Sequence, residues 1–202
     1  MNIYTLLPDS FGANCYVLIS DGHAAVIDPS VSAEKIIEFV NAAGASLDKV
    51  ILTHGHFDHI DSIDTLRSLV SVPVYIHKKD NEMLPDAHRN AYFDIFFMHK
   101  QWKPADRLLD DGDEITVGNE KLKVISTPGH SMGSICLLGD GFMITGDTLF
   151  ANGYGRYDLY GGNSVELAES LFSLRSFDPN LTIYPGHGGT AKLGHALDNI
   201  YY

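Results

Sequence analysis

The heptapeptide Thr53-His54-Gly55-His56-Phe57-Asp58-His59 carries three histidines and one aspartate, and it directly follows the apolar run Val50-Ile51-Leu52. A β-branched run closed by a polar, glycine-containing segment predicts a buried strand that ends in a loop. The polar side chains would therefore project from the carboxyl end of that strand. Imidazole and carboxylate together suit Zn²⁺, Fe²⁺ or Mn²⁺. A polar surface loop or a tag-like histidine cluster is the plainer alternative, but a tag would lie at a terminus and would lack the aspartate.

Three more ligand-type residues occupy comparable places farther along the chain. Each follows a predicted strand and is directly preceded by a glycine, and the three are His130, Asp147 and His187. A glycine at that point allows a sharp turn and lets the backbone come close to a ligand. The shared context makes all three candidates for the same metal site as the heptapeptide.

Length and composition favour one folded domain over residues 1–202, since 45% of the residues are hydrophobic and 20% are charged. Fourteen basic against 26 acidic residues give a net charge of −12, which would repel nucleic-acid backbones and anionic membrane surfaces. We therefore expect a small-molecule substrate and neither a nucleic-acid nor a membrane partner. Cys15 and Cys136 lie in apolar runs and are predicted core thiols. With no basic leader and no window of membrane-spanning length, the sequence leads us to expect a cytoplasmic protein.

Alternating apolar runs and turn signals predict the secondary structure. We expect a turn at 8–10, helices at 34–40, 61–70, 164–173 and from 190, and strands at 3–7, 15–19, 24–27, 50–52, 73–77, 115–117, 122–126, 135–138, 142–145 and 181–184. Two halves, about 1–105 and 106–202, each contain strands followed by helices. The pattern predicts an α/β (α+β) fold with two mixed sheets face to face and helices outside.

The segment at 78–100 is irregular, rich in aromatic and other apolar residues, and predicted to be helical in pieces. Such a stretch is typical of a core or of a subunit contact, so a homo-oligomer is one expectation. It is also a candidate wall of the substrate pocket.

The motifs resemble those of the metallo-β-lactamase-fold hydrolases, above all the glyoxalase II (hydroxyacylglutathione hydrolase) branch in its single-domain form. The family motif T-H-x-H-x-D-H is matched at 53–59, T-P-G-H-[ST]-x-G-S at 127–134, T-G-D-T-L-F at 145–150 and P-G-H at 185–187. The resemblance implies a four-layer αβ/βα sandwich of the metallo-β-lactamase type. It also implies two divalent metal ions, with zinc as the first expectation and iron or manganese as alternatives.

The same resemblance implies a role for each ligand-type residue. The first metal would be bound by His54, His56 and His130, and the second by Asp58, His59 and His187. Asp147 would bridge the two ions, and Asp58 would also orient the nucleophile, which makes these two aspartates the expected catalytic residues. Asp28 follows a predicted strand and resembles the family aspartate that supports a ligand histidine.

The loop after Asp147 reads Gly155-Arg156-Tyr157-Asp158-Leu159-Tyr160-Gly161-Gly162 and resembles the G-R-x-D-L-x-G-G loop of the single-domain hydrolases. Arg156, Tyr154 and Tyr157 are therefore candidate substrate-binding residues, although Arg156 could equally pair with an acidic neighbour and hold the loop in shape. Glyoxalase II proper carries an additional helical domain with basic residues for glutathione, whereas this sequence ends shortly after His187. The sequence leaves the thiol carrier of the substrate open.

Two divalent cations can lower the pKa of a bound water towards neutrality and so supply hydroxide at pH 7. The expected activity is therefore hydrolysis of small thioesters, with a lactone or another ester as an alternative substrate. Another alternative is a persulfide dioxygenase with a single iron on His54, His130 and Asp147. A metal-binding module without catalytic activity is a further alternative, and the complete set of ligands argues against it.

Overall fold

The computed structural model describes residues 1–8 and 12–200, and the predicted turn at 8–10 therefore lies largely outside the described residues. The first of two sheets consists of β1 (Asn2–Leu6), β2 (Cys15–Ser20), β3 (His23–Ile27), β4 (Ser46–Ile51), β5 (Val74–His77) and β6 (Arg107–Leu109). Neighbours in the sheet are also neighbours in strand number. The pairs from β1 to β3 are antiparallel, and those from β3 to β6 are parallel.

The second sheet consists of β7 (Glu114–Val117), β8 (Glu120–Ser126), β9 (Ile135–Gly139), β10 (Phe142–Gly146), β11 (Thr182–Pro185) and β12 (Ala191–Lys192). Its order is β12-β11-β10-β9-β8-β7, and the pair β10–β11 is parallel while the others are antiparallel. Both sheets are therefore mixed. The single-domain organisation over 1–202, with halves meeting near residue 105, stays a prediction.

In the described residues, six helices connect or flank these strands: α1 (Ala33–Ala42), α2 (Phe57–Ile60), α3 (Ile63–Val70), α4 (Tyr92–Phe96), α5 (Ser164–Leu174) and α6 (Leu193–Asp198). Side-chain oxygens cap two of them, since Ser32 accepts from the amide of Lys35 and Asn163 accepts from the amides of Val165 and Glu166. None of the helices in the described ranges is long and apolar enough to cross a membrane.

Three apolar clusters show that the molecule has four layers. Successive residues of one strand point to opposite faces, so Val50 packs towards α1 and α3 while Ile51 packs between the sheets. In the second sheet, Leu137 faces the other sheet and Cys136 faces α5 and α6. Helices thus cover the outer face of each sheet, and the predicted αβ/βα sandwich is confirmed.

The carboxyl ends of several strands meet at one edge of the sandwich. β3 and β4 run parallel in the first sheet, and β8, β10 and β11 share a direction in the second. Backbone hydrogen bonds join the two sheets at this edge, from the amide of Ile135 to the carbonyl of Thr53 and from the amide of Asn14 to the carbonyl of Gly186, at 3.0 and 2.7 Å. Loops from both halves of the chain are therefore held against each other here.

Four local predictions differ from the structure. The segment predicted to be helical from 190 first forms β12, and α6 begins only at Leu193. The helix predicted at 61–70 is α3 and begins at Ile63, and the short helix α2 before it was not predicted. The Ser62 amide and hydroxyl both donate to carbonyls in the segment 29–31 and so separate the two helices. β4 begins at Ser46 rather than at Val50, since pairing with β3 continues into residues that are not buried. β6 was not predicted, because three residues with one buried side chain carry almost no periodic signal.

Gly129 offers a test of how the second half positions its ligand loop. Its φ is +131°, and an added Cβ would lie 2.2 Å from the amide nitrogen of Leu167 in α5. Gly153 also has a positive φ, +112°, but has no atom within 4 Å of an added Cβ. We expect Gly153→Ala to lower the free energy of unfolding by roughly 1–3 kcal/mol because of backbone strain. Gly129→Ala should lower it by a further ~1–3 kcal/mol because of the clash with α5. Equal urea midpoints for the two variants would contradict this.

Candidate metal centre

Seven ligand-type side chains converge at this edge of the sandwich. They form three overlapping groups whose ligand atoms all lie within 4.8 Å of one another, namely His54/His56/His130, His54/His59/Asp147 and Asp58/His59/His187. The loop after β4 and helix α2 supply four of the seven, and the loops after β8, β10 and β11 supply one each. Most of these side chains are buried, whereas His187 is 39% exposed and lies where the site opens to solvent. The structure therefore brings together all seven residues that the sequence named.

Three imidazoles face one another in the first group. The Nε2 atom of His130 lies 3.1 Å from Nε2 of His54 and 2.9 Å from Nδ1 of His56. The Nδ1–H of His130 donates to the carbonyl of Arg156 at 2.6 Å, which leaves Nε2 free to act as a ligand. Burial, reinforced by neighbouring imidazoles, lowers the pKa of His54 well below its ordinary value and that of His56 to about 3. Unprotonated nitrogens at this spacing form a suitable cation site.

The group Asp58/His59/His187, called the second group from here on, combines one carboxylate with two imidazoles and lies beside the carboxylates of Asp147 and Asp28. His187 Nε2 lies 3.2 Å from an oxygen of Asp58, and His59 Nε2 lies 3.3 Å from Asp147. Burial opposes a charge on His59, but the carboxylates of Asp147, Asp28 and Asp58 outweigh it and raise the pKa of His59 well above its ordinary value. Burial likewise opposes ionisation of Asp58, and the charge of His59 still lowers its pKa. The surroundings thus favour positive charge at this position.

Asp147 lies between the two groups. Its two oxygens are 3.3 Å from His59 Nε2, 3.7 Å from His130 Nε2 and 3.6 Å from His187 Nε2. Among the described residues, three buried side-chain nitrogen or oxygen atoms have no hydrogen-bond partner, and they are Asp147 Oδ1, His59 Nε2 and His56 Nε2. Buried polar atoms without partners are costly, and a divalent cation would satisfy at least the two that face each other. The donor set therefore fits a pair of divalent metal ions.

Asp28 positions the ligand-type residues of the first half of the chain through hydrogen bonds. Its Oδ1 accepts from the amide of Thr53 and its Oδ2 accepts from the Thr53 hydroxyl, both at 2.7 Å. Oδ2 also lies 2.9 Å from Nδ1 of His59, so the Nδ1–H of His59 points to Asp28 and Nε2 points into the site. The Asp28 backbone has a φ of +51°, which is unusual outside glycine and marks a constrained position. The carboxylate fixes both the start of the ligand loop and the ring of one ligand.

Asp80 is a functional candidate that the sequence did not reveal. It is fully buried and accepts from the amides of Gly55 and Gly133 and from the hydroxyl of Ser131, at 3.1, 2.6 and 2.6 Å. Gly55 belongs to the first ligand loop, and the other two donors follow His130. Burial raises the pKa of Asp80 to about 6, although these hydrogen bonds act to lower it. The only sequence signal was a carboxylate three residues after a strand, without a glycine or a motif around it.

A cavity of about 310 Å³ adjoins the ligands. Among the described residues it is lined by His56, Phe57, Asp58, Ala91, Ile95, His130, Asp147, Phe150, Gly155, Arg156, Leu159 and His187. Arg156 thus reaches the cavity, but its guanidinium binds Asp158 through two hydrogen bonds of 2.7 and 2.8 Å. Tyr154 packs against the cluster beneath α5 and Tyr157 is largely exposed, and neither lines the cavity. Substrate binding by these three residues stays a prediction.

Comparisons with known proteins agree on the family. A family model described as the metallo-beta-lactamase superfamily matches residues 8–187. The probable metallo-hydrolase YqgX of Bacillus subtilis is 36% identical over 179 residues, which are 87% of this chain and 85% of that protein. The crystal structure of the BLEG-1 B3 metallo-beta-lactamase superposes with a TM-score of 0.90 at 32% identity, covering 98% of this chain and 97% of that one. TTHA1623 in a di-iron-bound form gives a TM-score of 0.82 at 30% identity, with 96% of each chain covered.

Metal removal should destabilise the protein. A ligand that binds only the folded state stabilises it in proportion to the logarithm of its concentration over Kd, about 2.7 kcal/mol per site at a hundredfold excess over Kd. We therefore expect chelation to lower the Tm by roughly 10 °C or more, and added Zn²⁺, Fe²⁺ or Mn²⁺ to restore it. Differential scanning calorimetry would measure the change, and Asp147→Ala should reduce it. An identical Tm with and without metal would refute the site.

Asp80→Asn should weaken metal binding, because an amide cannot accept all three hydrogen bonds and would leave at least one buried donor unpaired. We expect a roughly 10–100-fold higher Kd for Zn²⁺ in a chelator competition and a changed visible spectrum of the Co²⁺ form. Asp110→Asn is the matched control, since it removes a carboxylate that is exposed and paired with Lys78. A Co²⁺ spectrum unchanged from that of the native protein would show that Asp80 does not position the ligands.

Proposed function

The chain belongs to the metallo-beta-lactamase superfamily, and we propose that within it the protein hydrolyses small thioesters with two divalent cations, as glyoxalase II-like enzymes do. The observation that carries the proposal is the complete second group of ligands. Asp58, His59 and His187 lie together beside the three imidazoles of the first group, with Asp147 between them. A protein that used one metal would not need this second set to be assembled.

The side chains of the site fit a hydrolytic reaction. When bound, divalent cations supply a water of lowered pKa and a Lewis acid for the carbonyl oxygen. Asp58 lines the cavity and stays ionised, because the positive charge near His59 and a hydrogen bond from His187 lower its pKa despite burial. It can therefore accept a proton from an attacking water. Asp28 and the Arg156 carbonyl keep His59 and His130 in the tautomers that present Nε2 to the site.

The cavity favours a substrate with little charge over a β-lactam, which carries a carboxylate. Arg156 is the one lysine or arginine that lines the described part of the cavity, and Asp158 already neutralises it. A carboxylate of a β-lactam or of glutathione would therefore find no unpaired cationic side chain there. This supports a neutral thioester as the substrate. A neutral lactone or ester would be compatible with the same cavity lining.

A persulfide dioxygenase is the second candidate. His54, His130 and Asp147 form a two-histidine, one-carboxylate set, with His130 Nε2 3.1 Å from His54 and 3.7 Å from Asp147. Such a set suits one Fe²⁺. Metal analysis of the protein as purified, together with oxygen uptake on a thiol persulfide, separates the two functions. One iron per chain and oxygen consumption would favour the dioxygenase, whereas two metals and no uptake would favour the hydrolase.

The proposed activity is tested with a panel of substrates and one variant. The metal-loaded protein should hydrolyse a neutral, glutathione-free thioester in preference to S-lactoylglutathione, whose carboxylates find no unpaired cationic side chain in the cavity, and in preference to a lactone and a chromogenic cephalosporin. Asp147→Ala should lower kcat by about 100-fold or more, because it removes the carboxylate between the two groups of ligands. Asp140→Ala, in the exposed turn between β9 and β10, is the matched control. Unchanged turnover of Asp147→Ala at full metal occupancy would refute the assignment.

A further inference from the structure

We propose that the cavity beside the ligands binds an apolar acyl chain, so that the substrates of the hydrolase are thioesters of fatty or other hydrocarbon acids. The inference rests on the proposed function and specifies its substrate class. Apart from ligand-type side chains, Gly155 and Arg156, the described lining is apolar throughout and consists of Phe57, Ala91, Ile95, Phe150 and Leu159. We call these five residues the apolar wall.

The polar groups of the cavity leave no partner for a charged acyl group. The aspartates and histidines that line it belong to the candidate metal centre, where they would hold the cations. Arg156 is held by two hydrogen bonds to Asp158, so pairing it with a substrate carboxylate would break an existing ion pair. A polar acyl group placed on the apolar wall would lose its hydration without gaining hydrogen bonds. A hydrocarbon chain would gain the free energy of burial instead.

The apolar wall is fixed rigidly relative to the metal centre. Phe57 lies between two ligands in the sequence, and its ring packs edge-on against Tyr92 and Phe96 of α4 at centroid distances of 5.6 and 5.4 Å. Tyr92 in turn packs against Trp102, whose indole donates to the carbonyl of Asp61 at 3.1 Å. Because aromatic rings tie α4 to the ligand loop, Ile95 is held at a constant place beside the reacting centre.

The backbone is left-handed at both ends of α4. Ala91 and Phe97 have φ values of +65° and +54°, a conformation that costs free energy for residues other than glycine. The second of these places the ring of Phe97 in solvent, where 79% of the residue is exposed. Met98 beside it is exposed as well. An exposed apolar segment that continues from a wall of the cavity is suited to the outer part of a long acyl chain.

The test uses acyl thioesters of one small neutral thiol, N-acetylcysteamine, with two, four, six and eight acyl carbons. Full burial of a methylene corresponds to about a fourfold gain, and we expect kcat/KM to rise roughly twofold to fourfold per added methylene. The hexanoyl ester should therefore be at least about tenfold better than the acetyl ester. A kcat/KM that is flat or falls with chain length would overturn the inference while leaving the thioesterase proposal intact. No hydrolysis of any thioester would instead overturn the proposed function.

Ile95→Ala should reduce this preference, because it removes three carbons from the wall without disturbing a buried position. We expect the ratio of octanoyl to acetyl kcat/KM to fall about tenfold. Phe172→Ala is the matched control, since Phe172 is an exposed apolar residue on α5 that does not line the cavity. Equal ratios for the two variants would contradict a role of the wall in acyl recognition.

Binding without turnover gives an independent measurement. The S-octyl thioether of N-acetylcysteamine cannot be hydrolysed, and calorimetry should show binding to the native protein with a negative heat-capacity change that Ile95→Ala diminishes. Sedimentation of the native protein and of Phe97→Ser tests the competing occupant of this face, a second copy of the chain. A native dimer that dissociates on Phe97→Ser, with no thioether binding, would assign the face to a subunit contact and overturn the inference.

Discussion

Mutual repulsion among buried lone pairs and carboxylates is the constraint on which the rest of this structure depends. Three unprotonated imidazole nitrogens lie about 3 Å apart, and next to them two carboxylates share one small volume with two more imidazoles. Hydrocarbon packing cannot stabilise such a group, and hydrogen bonds satisfy it only partly. Positive charge must be supplied, either as a proton on His59, whose pKa the surrounding carboxylates raise, or as metal ions. The arrangement of these side chains therefore favours the binding of cations.

Residues from both sheets hold the ligand-type side chains together. Asp28 at the end of β3 fixes the first ligand loop, and Asp80 after β5 joins that loop to the segment that follows His130. Both aspartates accept hydrogen bonds from backbone amides. They therefore fix the positions of the ligand loops, and Asp28 also fixes the orientation of one histidine ring. Gly186 completes the arrangement, since a Cβ there would lie 2.1 Å from Asp147. Ligands from distant parts of the sequence are thus positioned by backbone hydrogen bonds and by the space that a missing side chain leaves.

The α/β sandwich and the ligand-type residues could be predicted from the sequence, because both give local sequence signals. After the heptapeptide at 53–59, three strands of alternating or continuous apolar residues were each followed by a glycine and then by a ligand-type side chain. Asp80 escaped detection because its function arises only when a loop after β5 packs against two other loops. The pairing of Arg156 with Asp158 was one of two open alternatives, since spacing alone cannot decide between an internal partner and a substrate. The break between α2 and α3 depends on contacts with the segment 29–31, which is remote in sequence.

Under the proposed function, charge would act on the choice of substrate at two scales. The net charge of −12 slows the approach of anionic molecules over a distance of about a Debye length, near 10 Å at ordinary ionic strength. Inside the cavity, the nearest arginine is already neutralised, so an anion that arrives must be held by the metal centre itself. A carrier with carboxylates or phosphates would then compete with its own carbonyl for the same cations. A substrate whose only polar group is the bond to be broken avoids this competition, because its remaining atoms can rest on Ile95, Phe150 and Leu159 while the carbonyl faces the ligands.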